Sequence, residues 1–89
     1  MIRNPSYLLR EVAGSLVLVP VGEATREFPG MITVNATSAY LWECLATEQT
    51  KESLVAALLS RYDVSEAQAE ADVEQFLKTL LLIGAVTEQ

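Results

Sequence analysis

The sequence predicts an α+β fold, a small three-stranded antiparallel sheet followed by three helices. Three observations carry this. The β-prone runs all fall before residue 35, the helical stripes with cap signals all fall after it, and 51% apolar residues over 89 positions suffice for one core. A single domain over residues 1–89 is expected, with elements in the order β-β-β-α-α-α.

The first strand is expected over about residues 7–12, Tyr7-Leu8-Leu9-Arg10-Glu11-Val12, and Ala13-Gly14-Ser15 reads as a tight turn. The second strand, about 16–20, is apolar at every position from Leu16 to Val19. A strand of that kind belongs in the middle of a sheet, with both faces covered. Pro20 ends it, and Val21 to Gly30 reads as a polar connection closed by Pro29-Gly30. The third strand is expected over about 31–35, with Ile32 and Val34 on one face and Met31 and Thr33 on the other. The simplest arrangement is a meander with the second strand central. One side of the third strand is then unpaired, and either Met31 and Thr33 or Ile32 and Val34 turn free backbone groups outwards.

The first helix, about 36–46, starts from Asn35, whose side-chain oxygen can accept from an orphan amide of the first turn. It is apolar nearly all round through Tyr40, Leu41, Trp42, Cys44 and Leu45, with Glu43 its only charge, so it should be mostly buried. The second helix, about 51–62, is capped by Thr50 and carries the stripe Leu54, Val55, Leu58, Leu59 and Tyr62 before Asp63 ends it. The third, about 66–83, opens with Ser65 and Gln68 in capping-box spacing, and Glu66 suits the positive helix end. Its inward stripe is Val73, Phe76, Leu77 and Leu80. Gly84 suits the helix stop, and Ala85-Val86 leaves as a short extended tail.

The chemical inventory is poor in catalytic groups. There is no His and one Cys, too few ligands for zinc or iron, and no acidic Gly-bearing loop for calcium. Cys44 sits mid-helix among apolar residues, the setting of an inert thiol, and no Ser or Thr has an imidazole partner. No catalytic residue, metal or cofactor is expected. One Cys cannot form an internal disulfide, which points to a reducing compartment. The N-terminus lacks the apolar run of a signal peptide, and Leu80 to Ile83 is far too short to span a bilayer, so a cytoplasmic protein with no membrane partner is expected.

Three helices beside a small sheet raise a winged helix-turn-helix architecture, and with it a DNA-binding regulator as the alternative function. A reader of DNA needs cations, whereas the net charge is −6, and the third helix sets Lys78 against Glu66, Glu70, Asp72 and Glu74. No nucleic acid is expected as a partner. Glu66, Glu70 and Glu74 recur every fourth residue, as a solvated acidic face or as a docking strip for a basic partner. Tyr40 and Trp42 read as core packing rather than a stacking platform. The remaining device is the free edge of the third strand, which bears no Lys, no internal Pro and no inward charge, and is a template for another chain.

From about Tyr7 to Val86 the sequence resembles the PqqD family, which includes the small protein of pyrroloquinoline quinone biosynthesis and the related RiPP precursor peptide recognition elements. The likeness is carried by "VNATSAYLWECL" after the third strand, "TKESLVAALLSRY" in the second helix and "ADVEQFLKTLLLIGAV" at the end. Its pattern positions are Asn35, Leu41-Trp42, Asp72-Val73, Phe76-Leu77, Leu80 and Gly84. Where the family commonly has Asp-Gly after the first helix, this chain has "ATEQT". The resemblance implies a winged-helix-like fold and a non-catalytic chaperone that binds the leader segment of a ribosomally made precursor peptide and presents it to a modifying enzyme, often a radical SAM protein. It implies that the leader adds as a strand beside Met31, Ile32, Thr33 and Val34, with side chains entering gaps against Phe76 and Leu80. Asp72, Gln75 and Thr79 would then select polar or basic residues; either that flank of the third helix or the flank of Glu70, Glu74 and Leu81 faces the peptide. A structural subunit without a peptide ligand is a third reading, and free strand edges allow either a monomer or a swapped dimer.

Overall fold

The structure is a computed structural model that describes residues 1–22 and 31–87. The expected closure of the connection at Pro29-Gly30 lies outside the described residues. In chain order the elements are β1 (Ile2–Arg3), β2 (Tyr7–Val12), β3 (Ser15–Pro20), β4 (Ile32–Val34), α1 (Ala36–Cys44), α2 (Lys51–Arg61), α3 (Glu66–Ile83) and β5 (Val86–Thr87). The expected meander is present as an antiparallel sheet in the order β2-β3-β4. Ends differ from expectation by a residue or two: β4 stops at Val34, α1 at Cys44, and α2 at Arg61, with Tyr62 as its C-cap.

β2 and β3 are joined by two residues rather than three. Ala13 and Gly14 take φ of 52° and 83°, the pair of positive values that a type I′ turn needs, and Ser15 already pairs with Val12. β3 is central as its composition demands: Val17 and Leu18, which point to opposite faces, are both buried. Ile32 pairs with Leu18, Thr33 with Val17 and Val34 with Leu16.

The helices start as read. Asn35 Oδ1 accepts from the Ser38 N–H at 2.7 Å, and Thr50 and Ser53 complete a reciprocal capping box. The box expected at Ser65 is half made. Ser65 accepts from the Gln68 N–H at 3.1 Å, but the Gln68 side chain turns forward to donate to Asp72 Oδ1 at 2.8 Å. Gly84 stops α3 at φ 74°, a left-handed value that costs glycine nothing. The core joins Tyr7 and Leu18 of the sheet to Leu41, Trp42, Leu54, Leu58, Val73, Phe76, Leu77 and Leu80. Four expected interior positions fall outside its buried set, Tyr40 and Tyr62 being only partly buried against it. Leu59 is exposed, because α2 packs on its neighbours with Leu54, Val55 and Leu58, and Cys44 ends α1 only partly covered.

Two short strands are added to the expected ones: β5 takes up the expected extended tail at Val86, whereas β1 and the pairing of the two were not legible in the sequence. β1 pairs antiparallel with β5, Ile2 with Thr87 and Arg3 with Val86, and so ties the N-terminus to the tail that follows α3. Asn4 reinforces this tie. Its N–H donates to the Ala85 carbonyl at 2.8 Å and its side chain to the Gly84 carbonyl at 2.9 Å. Tyr7, from the start of β2, donates its hydroxyl to the Ile83 carbonyl at 2.6 Å. The C-terminal end of α3 is thus fixed against the sheet, which sets the spacing between α3 and the strands.

Candidate functional site

β4 is the edge of the sheet, and the hairpin decides which of its backbone groups face outwards. A two-residue turn leaves its flanking residues, Val12 and Ser15, as a hydrogen-bonded pair, and bonded and unbonded pairs alternate from there. The far end agrees: the Val21 N–H donates to the Ser6 carbonyl at 2.7 Å, a bonded pair an even number of steps away. Hence Ser15, Val17 and Val19 turn their backbone groups to β2, and Leu16 and Leu18 turn theirs to β4. Leu16–Val34 and Leu18–Ile32 are then the bonded pairs and Val17–Thr33 the unbonded one. Thr33 presents both its N–H and its C=O to the open side. Pro20, which lacks an N–H, has its nitrogen on the β4 side but beyond the end of β4, so the ladder loses nothing.

A groove of about 290 Å³ runs between this edge and α3. Its walls are Ile32, Thr33 and Val34 of β4, the start of α1 at Asn35, Thr37 and Ser38, and Asp72, Gln75, Phe76, Thr79 and Leu80 of α3. Leu18 and Leu41 close the floor with Phe76 and Leu80, all buried. Ile32 and Val34 are half-buried on the groove side, and Thr33 points its side chain to solvent, as the alternation requires. Of the expected site residues, the structure brings together Ile32, Thr33, Val34, Asp72, Gln75, Phe76, Thr79 and Leu80. Met31, at 59% exposure, is outside the groove.

One flank of α3 faces the groove. Asp72, Gln75 and Thr79 line the groove. Glu74 and Leu81 lie on another surface with Lys51, and Glu70 sits beside α2. Among the described residues Asp72 is the one charged lining residue, and it accepts from the Gln68 side chain. Thr79 donates its hydroxyl to the Gln75 carbonyl at 3.1 Å. Sequence reasoning missed Leu18, Leu41, Asn35, Thr37 and Ser38 as lining residues. The signal for the last three was their position directly after the edge strand.

The lining offers hydroxyls and amides but no imidazole, and among the described residues no group of three or more Cys, Asp and Glu side chains is placed to hold a metal ion. Of the aromatic pair read as core packing, Trp42 lies in the core and Tyr40 is partly buried against it. Trp42 is buried, and Tyr40 packs edge-on against Tyr62 with ring centroids 6.0 Å apart, with the Arg61 guanidinium 4.6 Å from its ring. Among the described residues no helix is long and apolar enough to cross a membrane. An extended segment laid beside β4 can exchange two backbone hydrogen bonds with Thr33. The two side chains flanking its residue opposite Thr33 then fall on the α3 side, next to Ile32 and Val34.

The profile of the family described as Coenzyme PQQ synthesis protein D (PqqD) matches residues 15–86. The fold is similar to a solved structure described as TbiB1 in complex with the TbiA(beta) leader peptide, with a TM-score of 0.75 and 18% identity over 100% of this chain and 98% of that one. It is also similar to lasso peptide synthetase B1 complexed with the leader peptide, with a TM-score of 0.71 and 20% identity over 97% of this chain and 95% of that one. No curated protein matches the chain in sequence.

Proposed function

We propose, from the premise that the chain belongs to the PqqD family, that it is a non-catalytic recognition domain, spanning residues 1–89, for the leader segment of a ribosomally made precursor peptide. One observation carries the reading. A strand edge that pairs with no further strand among the described residues, with Thr33 turned outwards, borders an apolar-floored groove closed on its far side by α3. The two solved proteins of similar fold are both described as complexes with a leader peptide. In this chain the leader adds as a strand beside β4. Main-chain bonds to Thr33 give affinity, and two leader side chains entering beside Ile32 and Val34, over Phe76 and Leu80, give selectivity. Asp72 favours a basic or hydrogen-bond-donating leader residue at its end of the groove.

The leader's chemistry belongs to a separate modifying enzyme, with radical SAM proteins as the class that the family resemblance implies. The domain holds the leader and leaves the rest of the precursor free for that enzyme. It acts in the cytoplasm, where precursor peptides are made, as a monomer or a strand-swapped dimer. Binding to duplex DNA is disfavoured by the net charge of −6 and by the acids along α3.

Peptide display against the immobilised chain tests the reading. The enriched peptides should be extended segments with two apolar residues separated by one. Titrated into the isotope-labelled chain, they should shift the amides of Thr33 and of Asp72 to Leu80. Shifts confined to α2 would refute the site, and an absence of enrichment would refute peptide binding.

A further inference from the structure

A second surface lies on the side of α3 turned away from the groove. Leu82 is 79% exposed and Leu81 46%, and with Leu77, Lys51, Glu74 and Lys78 they form an apolar hollow of about 430 Å³. It adjoins another, of about 290 Å³, where α2 contributes Val55, Ala56 and the exposed Leu59. Lys51 belongs to both, and its ion pair with Glu74 bridges α2 and α3 where the two hollows meet. Single exposed leucines are ordinary. Here Leu59 lines the hollow between α2 and α3, and Leu81 and Leu82 line its continuation along α3 past Lys51, the start of α2, so that together they make an elongated furrow able to accept the ridge of a third helix.

The rim fixes the sign of the partner. Glu52, Glu66, Glu70 and Glu74 stand against Lys51 and Lys78. The hydrogen bond with Glu74 raises the Lys51 pKa above its ordinary value, with Glu74, Glu70 and Glu52 adding to it by charge. With Lys51 and Glu74 paired, Glu52, Glu66 and Glu70 leave the rim beside α2 acidic, against Lys78 at the Leu81–Leu82 end. A second copy of this chain, at net charge −6, would bring the same acids against it. The recurrence of Glu66, Glu70 and Glu74 at every fourth residue thus has a use beyond solvation.

We infer that the α2–α3 furrow is a docking surface for a basic, leucine-bearing amphipathic helix of a protein partner, namely the enzyme that acts on the groove-bound peptide. Only the partner's identity rests on the proposed function; the helix chemistry rests on the furrow. The two surfaces are on different sides of α3, so both ligands bind at once.

The probe is a synthetic amphipathic peptide about 18 residues long, a length at which a helix is viable, with leucines along one face and lysines elsewhere. Its counterpart has glutamate in place of lysine. Titrated into the isotope-labelled chain, the lysine peptide should shift the amides of Ala56, Leu59, Leu81 and Leu82 and leave Thr33 and Thr79 unmoved. Leu82→Lys, at a position too exposed to unfold the chain, removes the apolar contact and repels the lysine peptide, and should weaken its binding by about tenfold or more; the glutamate peptide should not bind the unaltered chain. Leu82→Lys should leave the affinity for a display-selected leader-like peptide unchanged. Equal binding of both helical peptides, equal binding to the variant, or shifts in the β4 groove would each overturn the inference. So would sedimentation showing a dimer that Leu82→Lys dissociates, since a second copy would then own the face. If the leader-like peptide fails while the lysine helix binds as expected, the furrow stands and the identity of its partner falls.

Discussion

Replacing the backbone amide of Thr33 by an ester separates peptide binding from folding. The chain is accessible by chemical ligation at its one cysteine, Cys44, so residues 1–43 can carry an ester. The ester at Thr33 deletes an N–H that the alternation of bonded pairs turns outwards. A hydrogen bond contributes about 0.5–1.5 kcal/mol net, so peptide affinity should fall by about two- to twelvefold, at 1.4 kcal/mol per factor of ten. Stability should fall less, because the ladder keeps its N–H donors and only the Ile32 carbonyl becomes a weaker acceptor. The matched ester at Val34 deletes an inward N–H bonded to Leu16. It should lower stability by about 0.5–1.5 kcal/mol, which in a chain of this size is about 2–12 °C in Tm. Affinity should fall there only through the weakened Thr33 carbonyl. Isothermal titration and calorimetric melting of the two esters read both quantities. If Val34 loses the affinity and Thr33 the stability, the register is shifted by one residue. If neither ester changes affinity, no strand adds at β4.

Trp42→Ala should cost roughly 3–5 kcal/mol by chemical denaturation, since the ring is fully buried between the sheet and the helices. Tyr7→Phe should cost about 1–3 kcal/mol by the same measurement, because it leaves the Ile83 carbonyl without its donor at the anchor of α3. Asp72→Asn should weaken peptides carrying a groove-facing Lys or Arg more than those carrying Leu there, with a stability change of roughly 0.5 kcal/mol or less; equal effects on both would remove Asp72 from selectivity. Incubation of the chain alone with a bound peptide should leave the peptide's mass unchanged, and a covalent change would contradict a purely binding role.

The faces of the site were legible because periodicity fixes faces. Alternation placed Ile32 and Val34 together, and the spacing of Asp72, Gln75, Phe76, Thr79 and Leu80 placed them on one side of a helix. Which backbone groups of β4 point outwards was not legible, because it depends on the turn length between the two preceding strands. Reading Ala13-Gly14-Ser15 as the turn, rather than Ala13-Gly14, changes the loop length on which the alternation is counted. The choice between the two flanks of α3 was hidden for a different reason. It depends on the rotation of α3 against the sheet, which is fixed at a distance by Asn4 and Tyr7 reaching Gly84 and Ile83. β1 and β5 have too few residues to carry a periodic signal, and the run Leu80 to Ile83 conceals that only Leu80 turns fully inwards while Leu81 and Leu82 rotate out.

Amide hydrogen exchange at Thr33, with and without a display-selected peptide, tests strand addition at β4 most directly. In the free chain the Thr33 N–H faces solvent and should exchange fast, while Ile32 and Val34 are held by Leu18 and Leu16. With peptide at about 100 times its Kd, exchange at Thr33 that requires peptide release should slow by about 100-fold, and the protection of Ile32 and Val34 should change little. An unchanged exchange rate at Thr33 under saturating peptide would contradict the account.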